Sequence, residues 1–216
     1  MSSLTVACVL AKPGYGREWV RRLERMVRAN LTVPHRFVCL TDDDGGLTCR
    51  TKRLPAGLRF GSGWWAKLAL FQRGLFEGRV LYLDLDSLVL GNLDFVTKFE
   101  GDFAILRDFY RPDGYGSGVM LWNKPHPHVW DDWIAAGAPQ HPLGDQGWME
   151  QALPNAYRLQ DEFPGKFVSY KVHCAEKDEA PEGAAVLSFH GEPKNADFPP
   201  EHWVSKTWRG EMRQAA

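Results

Sequence analysis

The sequence lacks an excess of charge of either sign. Its 216 residues carry 26 Lys and Arg against 27 Asp and Glu, a formal net charge of −1. That balance removes any global electrostatic reason to expect nucleic acid or a membrane surface as partner. Long apolar runs are also missing. The opening MSSLTVACVLA has no basic segment ahead of it and is followed at once by Lys12-Pro13-Gly14. It is too short to span a bilayer and reads as a first strand, not a signal peptide, and no other stretch is long enough to be transmembrane. Cysteine is scarce: Cys8, Cys39, Cys49 and Cys174 show neither CxxC spacing nor a dense pattern. They read as four reduced structural thiols in a cytoplasmic protein. Internal repeats, low-complexity tracts and linkers are absent, so residues 1–216 read as one domain.

What is present points to one sizeable core, with 44% apolar and 25% charged residues. Tryptophan is abundant, at nine residues. An indole packs in a core or stacks on a sugar ring, whose C–H edges suit a π face. Arg17, Arg21, Arg22, Arg25 and Arg28 fall on one predicted helix. They read as its solvated face, with an anionic acceptor or lipid headgroups as the second reading.

Residues 4–10 form an apolar, β-branched run that predicts a buried strand. Trp19, Val20, Leu23, Met26 and Val27 recur at helical spacing and predict a helix over 16–29. His35 to Leu40 is a second strand ending in the polar loop Thr41-Asp42-Asp43-Asp44-Gly45-Gly46, and Thr48 to Leu54 a short third. Gly61-Ser62-Gly63 precedes a helix carrying Trp64, Leu68, Leu70, Phe71 and Leu75, and Arg79 to Leu83 is a fourth strand. Further on, 102–106 and 118–122 read as strands, 125–136 and 145–153 as short helices, and 186–189 as a late strand. The tail from Pro199, with Trp203 and Trp208, is expected to fold over the site. Alternation of helices with wholly apolar strands predicts an α/β domain with a mainly parallel central sheet and helices on both faces. Ligands in such sheets bind where carboxyl ends of strands emerge, so Leu10–Tyr15, Thr41–Asp44 and Asp84–Ser87 should share a crevice.

The sharpest motif is Val80-Leu81-Tyr82-Leu83-Asp84-Leu85-Asp86-Ser87. Two residues apart on extended backbone, Asp84 and Asp86 point to one side. Two close anions repel unless a cation lies between them, and a hard divalent ion such as Mn²⁺ or Mg²⁺ suits oxygen ligands. The competing reading is a turn in which one Asp accepts backbone N–H bonds.

With these segments in order, the chain resembles glycosyltransferases of the GT-A fold, in the family that includes glycogenin and bacterial lipopolysaccharide galactosyltransferases. Val6–Tyr15 resembles the nucleotide-base loop, and Trp65-Ala66-Lys67-Leu68 the helix with a donor-contacting lysine. Leu81 to Asp86 resembles the metal motif, Gly116 to Asn123 the strand beside the donor sugar, Asp145-Gln146 the sugar-contacting pair, and Phe189 to Lys194 the late His-Gly-Lys segment. The resemblance implies that Asp84, Asp86 and His190 bind Mn²⁺ (or Mg²⁺). It implies that Lys194 and the Gly191 backbone hold the diphosphate, and that Lys67, Ser117, Asp145 and Gln146 line the donor sugar. Tyr15 would stack on the base, with Leu10 and Ala11 offering backbone contacts. Each residue also has a plain reading: a core histidine for His190, a helix N-cap for Asp145, surface lysines for Lys67 and Lys194, a core-edge ring for Tyr15. Three departures stand out: Gly116 where relatives carry Asn, His190 directly beside Gly191, and Asn195 after Lys194 in place of the Trp that commonly follows Lys-Pro.

The implied activity is a retaining transfer of a hexose from a UDP-sugar to an acceptor hydroxyl of a glycan, lipid or protein. Asp145 would act as nucleophile, or with Gln146 would position the sugar for front-face attack. One rival is a phosphatase of the haloacid-dehalogenase type, in which the first Asp of Asp-x-Asp is the nucleophile, although those enzymes carry the motif in the first strand. Another is a non-catalytic nucleotide-sugar-binding module of the same fold.

Overall fold

A computed structural model describes residues 4–11, 14–56 and 63–211. The first half runs β1 (Leu4–Leu10), α1 (Arg17–Asn30), β2 (His35–Thr41), β3 (Arg50–Arg53), a 3-10 helix (Gly63–Phe71), β4 (Val80–Leu83), β5 (Leu88–Val89) and a short 3-10 turn (Asp94–Lys98). The second half runs β6 (Phe103–Arg107), β7 (Tyr115–Trp122), α2 (His128–Ala135), α3 (Gly144–Ala152), β8 (Tyr157–Arg158) and α4 (Leu159–Glu162). It closes with β9 (Phe167–Ser169), a π-helical turn (Tyr170–Cys174), β10 (Val186–Ser188) and α5 (Trp203–Arg209). Lys12, Pro13, Gly61 and Ser62 lie outside the described residues. No helix among the described residues is long and apolar enough to cross a membrane.

The main sheet has seven strands in the order β3-β2-β1-β4-β7-β6-β8. β3, β2, β1 and β4 run parallel, as do β6 and β8, while β7 runs antiparallel to both β4 and β6. Parallel strands are covered on both faces, and β1 and β4 are buried at every position. The strand period still sorts the two sides. Val6, Cys8 and Leu10 face one core with Val20, Leu23 and Val27 of α1, and Ala7 and Val9 face the other with Trp65, Leu68 and Phe71 of the 3-10 helix. Each fully buried Val, Leu or Phe contributes roughly 1.5–3 kcal/mol. These two layers therefore fix where β1 and β4 end.

A second sheet of three strands, β5-β10-β9, packs on the α1 side. β10 is parallel to β9 and antiparallel to β5. Its strands of two and three residues are too short to show a period in the sequence, and only β10 was expected.

The arginines of α1 form a largely solvent-exposed face, as expected, with Arg22 alone half-buried, and they also take partners. Arg17 pairs with Asp43, Arg21 donates to the Gly46 carbonyl, and Arg28 reaches Glu24 at 2.7 Å. Arg22 lies 3.9 Å from the centre of the Trp208 ring, and Arg25 donates to the Trp208 carbonyl at 3.0 Å. One expectation is corrected: the tail does not fold over the site. α5 docks on α1 with Trp208 against Trp19, ring centroids 4.6 Å apart, because that face offers an indole and two guanidinium groups. The helix stops at Gly210, in the left-handed region at φ 73°, where the missing Cβ would otherwise meet Arg25.

If the tail is part of the folded unit, Trp208→Ala should destabilise the protein by about 3–5 kcal/mol. A urea titration reads this as a lowered midpoint at unchanged slope. A loss under about 1 kcal/mol would show that α5 is a loosely attached appendage.

Candidate active site

β4 ends at Leu83, and the chain does not stay extended. Asp84 to Ser87 is a tight turn, with the Ser87 amide donating to the Asp84 carbonyl at 3.0 Å. The expected extended Asp-x-Asp geometry is thus replaced by a turn, which begins just after β7 takes the Asp84 amide on the Gly118 carbonyl at 2.8 Å. The turn hands the two carboxylates to separate partners.

Asp84 goes to the 3-10 helix side. Lys67 Nζ donates to Asp84 Oδ2 at 2.8 Å and to Ser117 Oγ at 3.2 Å, and it lies 4.0 Å from Asp145 Oδ2. Tyr82 donates its hydroxyl to Asp84 Oδ1 at 2.5 Å. Gly118 faces this carboxylate, with a Cβ there falling 3.4 Å from Asp84 Oδ2. Lys67, Ser117 and Asp145 are all buried. Asp145 Oδ2 has no hydrogen-bond partner, and Asp145 lies inside the first turn of α3 without capping it. Its isolated carboxylate oxygen is aimed at Lys67. Gln146 follows, half-buried on the same turn.

Asp86 goes to the other side. Lys194 Nζ donates to Asp86 Oδ2 at 2.6 Å, and Tyr15 donates its hydroxyl to the same oxygen at 2.7 Å. The Tyr15 ring packs on Trp19, centroids 4.3 Å apart. Together with Leu10, Thr41, Asp42 and Asp43 it lines a cleft of about 550 Å³ above the start of α1. Two of the three loops expected to share a crevice therefore share this cleft, and the third reaches it through Asp86. Ala11, beyond Leu10, is half-buried against the second core.

The electrostatics follow from burial. Burial pushes the Asp84 carboxyl up, Lys67 pulls it back and the Asp86 charge adds to the rise, so that it settles at about 6. For Lys67 burial works to lower the pKa, but Asp84 and Asp145 outweigh it and hold the ammonium charged. Burial and the Asp86 carboxylate keep the Tyr15 phenol well above its ordinary pKa, so it remains a donor.

His190 is not brought into this set. Its Nε2 lies 2.6 Å from Ser169 Oγ, its ring stacks on Phe109 at 5.7 Å, and Tyr110 meets it edge-on at 5.0 Å. Ser169 pairs with Ser188 across β9 and β10, so the residue two beyond Ser188 folds back onto Ser169. Burial and the nearby Lys171 hold the imidazole below its ordinary pKa. Among the described residues no three His, Cys, Asp or Glu side chains converge as a metal cage. The expected trio Asp84, Asp86 and His190 is therefore not assembled. Two neighbouring carboxylates do fit a hard divalent cation as a pair of oxygen donors. Gly191, at φ 66°, follows in an exposed turn that brings Lys194 to Asp86.

Sequence reasoning missed Tyr82 and Ser169. Tyr82 was legible in principle, two residues before Asp84. Ser169 was not, because β9 carries no periodic signal.

No protein-family model matches the sequence, and no curated protein matches it by sequence. Solved structures do match. GlyE of Streptococcus pneumoniae TIGR4, a glycosyltransferase, superposes with a TM-score of 0.66 at 16% identity over 97% of this chain and 60% of its own. The bifunctional glycosyltransferase WbbM matches at 0.65 and 13% identity, over 95% of this chain and 52% of its own. The galactosyltransferase LgtC, solved in complex with donor and acceptor sugar analogues, matches at 0.60 and 15% identity over 98% and 97%. The chain thus spans about half of WbbM and 60% of GlyE, and nearly all of LgtC. It has the GT-A fold of these glycosyltransferases.

Lys67→Met removes the cation that Asp84 and Asp145 share and leaves both charges buried. The expected loss is about 3–5 kcal/mol of folding stability, read by denaturant unfolding. A variant as stable as the parent would show that Lys67 does not neutralise them.

Proposed function

We propose that this protein transfers a hexose from a UDP-sugar to an acceptor hydroxyl with retention of anomeric configuration, assisted by Mn²⁺ or Mg²⁺ held by Asp84 and Asp86. The observation that carries the reading is the meeting of Lys67, Asp84, Ser117 and Asp145 beside Asp86, Lys194 and Tyr15, at the strand ends of a GT-A fold. LgtC, matched over nearly its whole length and solved with sugar analogues, supports a nucleotide-sugar donor.

When bound, the ion would neutralise charge on the departing diphosphate as a Lewis acid. The chain's own groups do the rest. Leu10 and Ala11 offer backbone, and Tyr15 a ring face, to the base in the cleft. Lys194 presents a point charge to the diphosphate, and Gly191, without a Cβ, lets its backbone approach a phosphate oxygen. Lys67 and Ser117 form the polar floor under the donor sugar. A sugar hydroxyl would satisfy the unpartnered Asp145 Oδ2. Fixed in a buried site, that carboxylate favours positive charge developing at the anomeric carbon. Lys67 beside it tempers its nucleophilicity, so Asp145 and Gln146 position the sugar for front-face attack. His190 stands outside this set and would have to leave Ser169 to join it.

The test is UDP release from a panel of UDP-hexoses with and without Mn²⁺. Asp84→Asn should lower metal-dependent turnover by at least about a hundredfold. Undiminished turnover would sink the assignment of Asp84 to the ion. UDP binding with no release from any donor would mark a non-catalytic module, and a covalent aspartyl-phosphate a phosphatase.

A further inference from the structure

We infer that Trp64 is the platform on which a pyranose ring of the acceptor stacks, which makes the acceptor a glycan; this rests on the transferase reading above. The helix Gly63–Phe71 is of the 3-10 type, with three residues per turn, so Trp64 and Lys67 lie on one face. Lys67 on that face reaches Asp84, Ser117 and Asp145. Trp64 stands one turn further out, roughly 6 Å along the axis. Its neighbour Trp65 turns inward, 2% exposed and stacked on Trp133 with centroids 5.7 Å apart. Trp64 is 52% exposed.

The indole is pinned from the other side as well. Gly144, at φ 67°, immediately precedes Asp145, and a Cβ on it would fall 3.2 Å from Trp64 Nε1. The edge of the ring therefore lies close to the backbone that starts α3, where Gly suits both the distance and the dihedral. Leu143, 39% exposed, continues the apolar surface. Trp64 thus bridges the two elements that carry Lys67 and Asp145, on their solvent side. A rigid, half-open indole at this place loses little entropy when it takes a partner.

The partner's chemistry follows from the ring and its position. A flat π face suits a pyranose, which offers C–H bonds on one face. The donor hexose must lie deeper, against Asp145 and Lys67. The ring that meets Trp64 is then the one presenting its hydroxyl from outside. At 52% exposure this indole is not a core residue, in contrast to Trp65.

The experiment uses the full chain loaded with UDP and Mn²⁺ on a glycan array, with Trp64→Ala and Trp64→Phe beside the parent. UDP affinity of each is measured separately by calorimetry. The expected result is capture of a defined set of glycans by the parent, at least about tenfold weaker capture by Trp64→Ala, and retention by Trp64→Phe. UDP affinity should be equal in all three. Glycan capture unchanged in Trp64→Ala overturns the inference, as does absence of capture by a parent that binds UDP. Weaker binding of UDP-hexose with unchanged glycan capture would assign the indole to the donor and also overturn it. A parent that binds no UDP removes the transferase reading first.

Discussion

The buried ammonium of Lys67 is the contact on which the site depends. An unpaired ammonium out of water costs several kcal/mol, so burying it requires its carboxylate and hydroxyl partners in place. Those partners come from far apart in the chain: Asp84 after β4, Ser117 on β7 and Asp145 on α3. The reversal of β7 serves this need. Being antiparallel to β4, it begins where β4 ends, so Ser117 enters the crevice from the start of a strand while Asp84 enters from the end of one. The same logic holds across the turn, where Lys194 and Tyr15 secure Asp86.

Much of the framework was legible in the sequence. β1, β2, β4 and α1 stand within a residue or two of their expected places, because each combines a clear period with a turn signal at its end. The segment GWWAKLALF was readable as helical but not as 3-10, since an apolar stretch without a polar face does not reveal its pitch. β5, β8 and β9, of two or three residues, owe their existence to tertiary pairing alone. In the site, ordered motifs brought Lys67, Asp84, Asp86, Asp145, Ser117, Tyr15 and Lys194 into one neighbourhood. The place His190 takes against Ser169 was not legible, because Ser169 sits on one of the strands the sequence could not show. The solvated face of α1 was legible from its arginines, but their partners, Trp208 and the 43–46 loop, were not, being distant in the sequence.

Identity of 13–16% to WbbM, GlyE and LgtC is low, yet the fold is shared over nearly the whole of this chain. The physics allows it. Two cores that need only apolar side chains of suitable volume on alternating strand faces tolerate wide substitution. Polar positions at strand ends tolerate far less, because each buried charge there constrains the identity of the next.

Tyr15 joins two things that are otherwise separate. Its hydroxyl rests on Asp86, and its ring touches Trp19, which in turn touches Trp208 at the far side of α1. An occupant of the cleft that draws Tyr15 from Asp86 disturbs an indole pair lying on the other flank of that helix. A change in the emission of those two tryptophans on filling the cleft is the optical consequence of this contact chain.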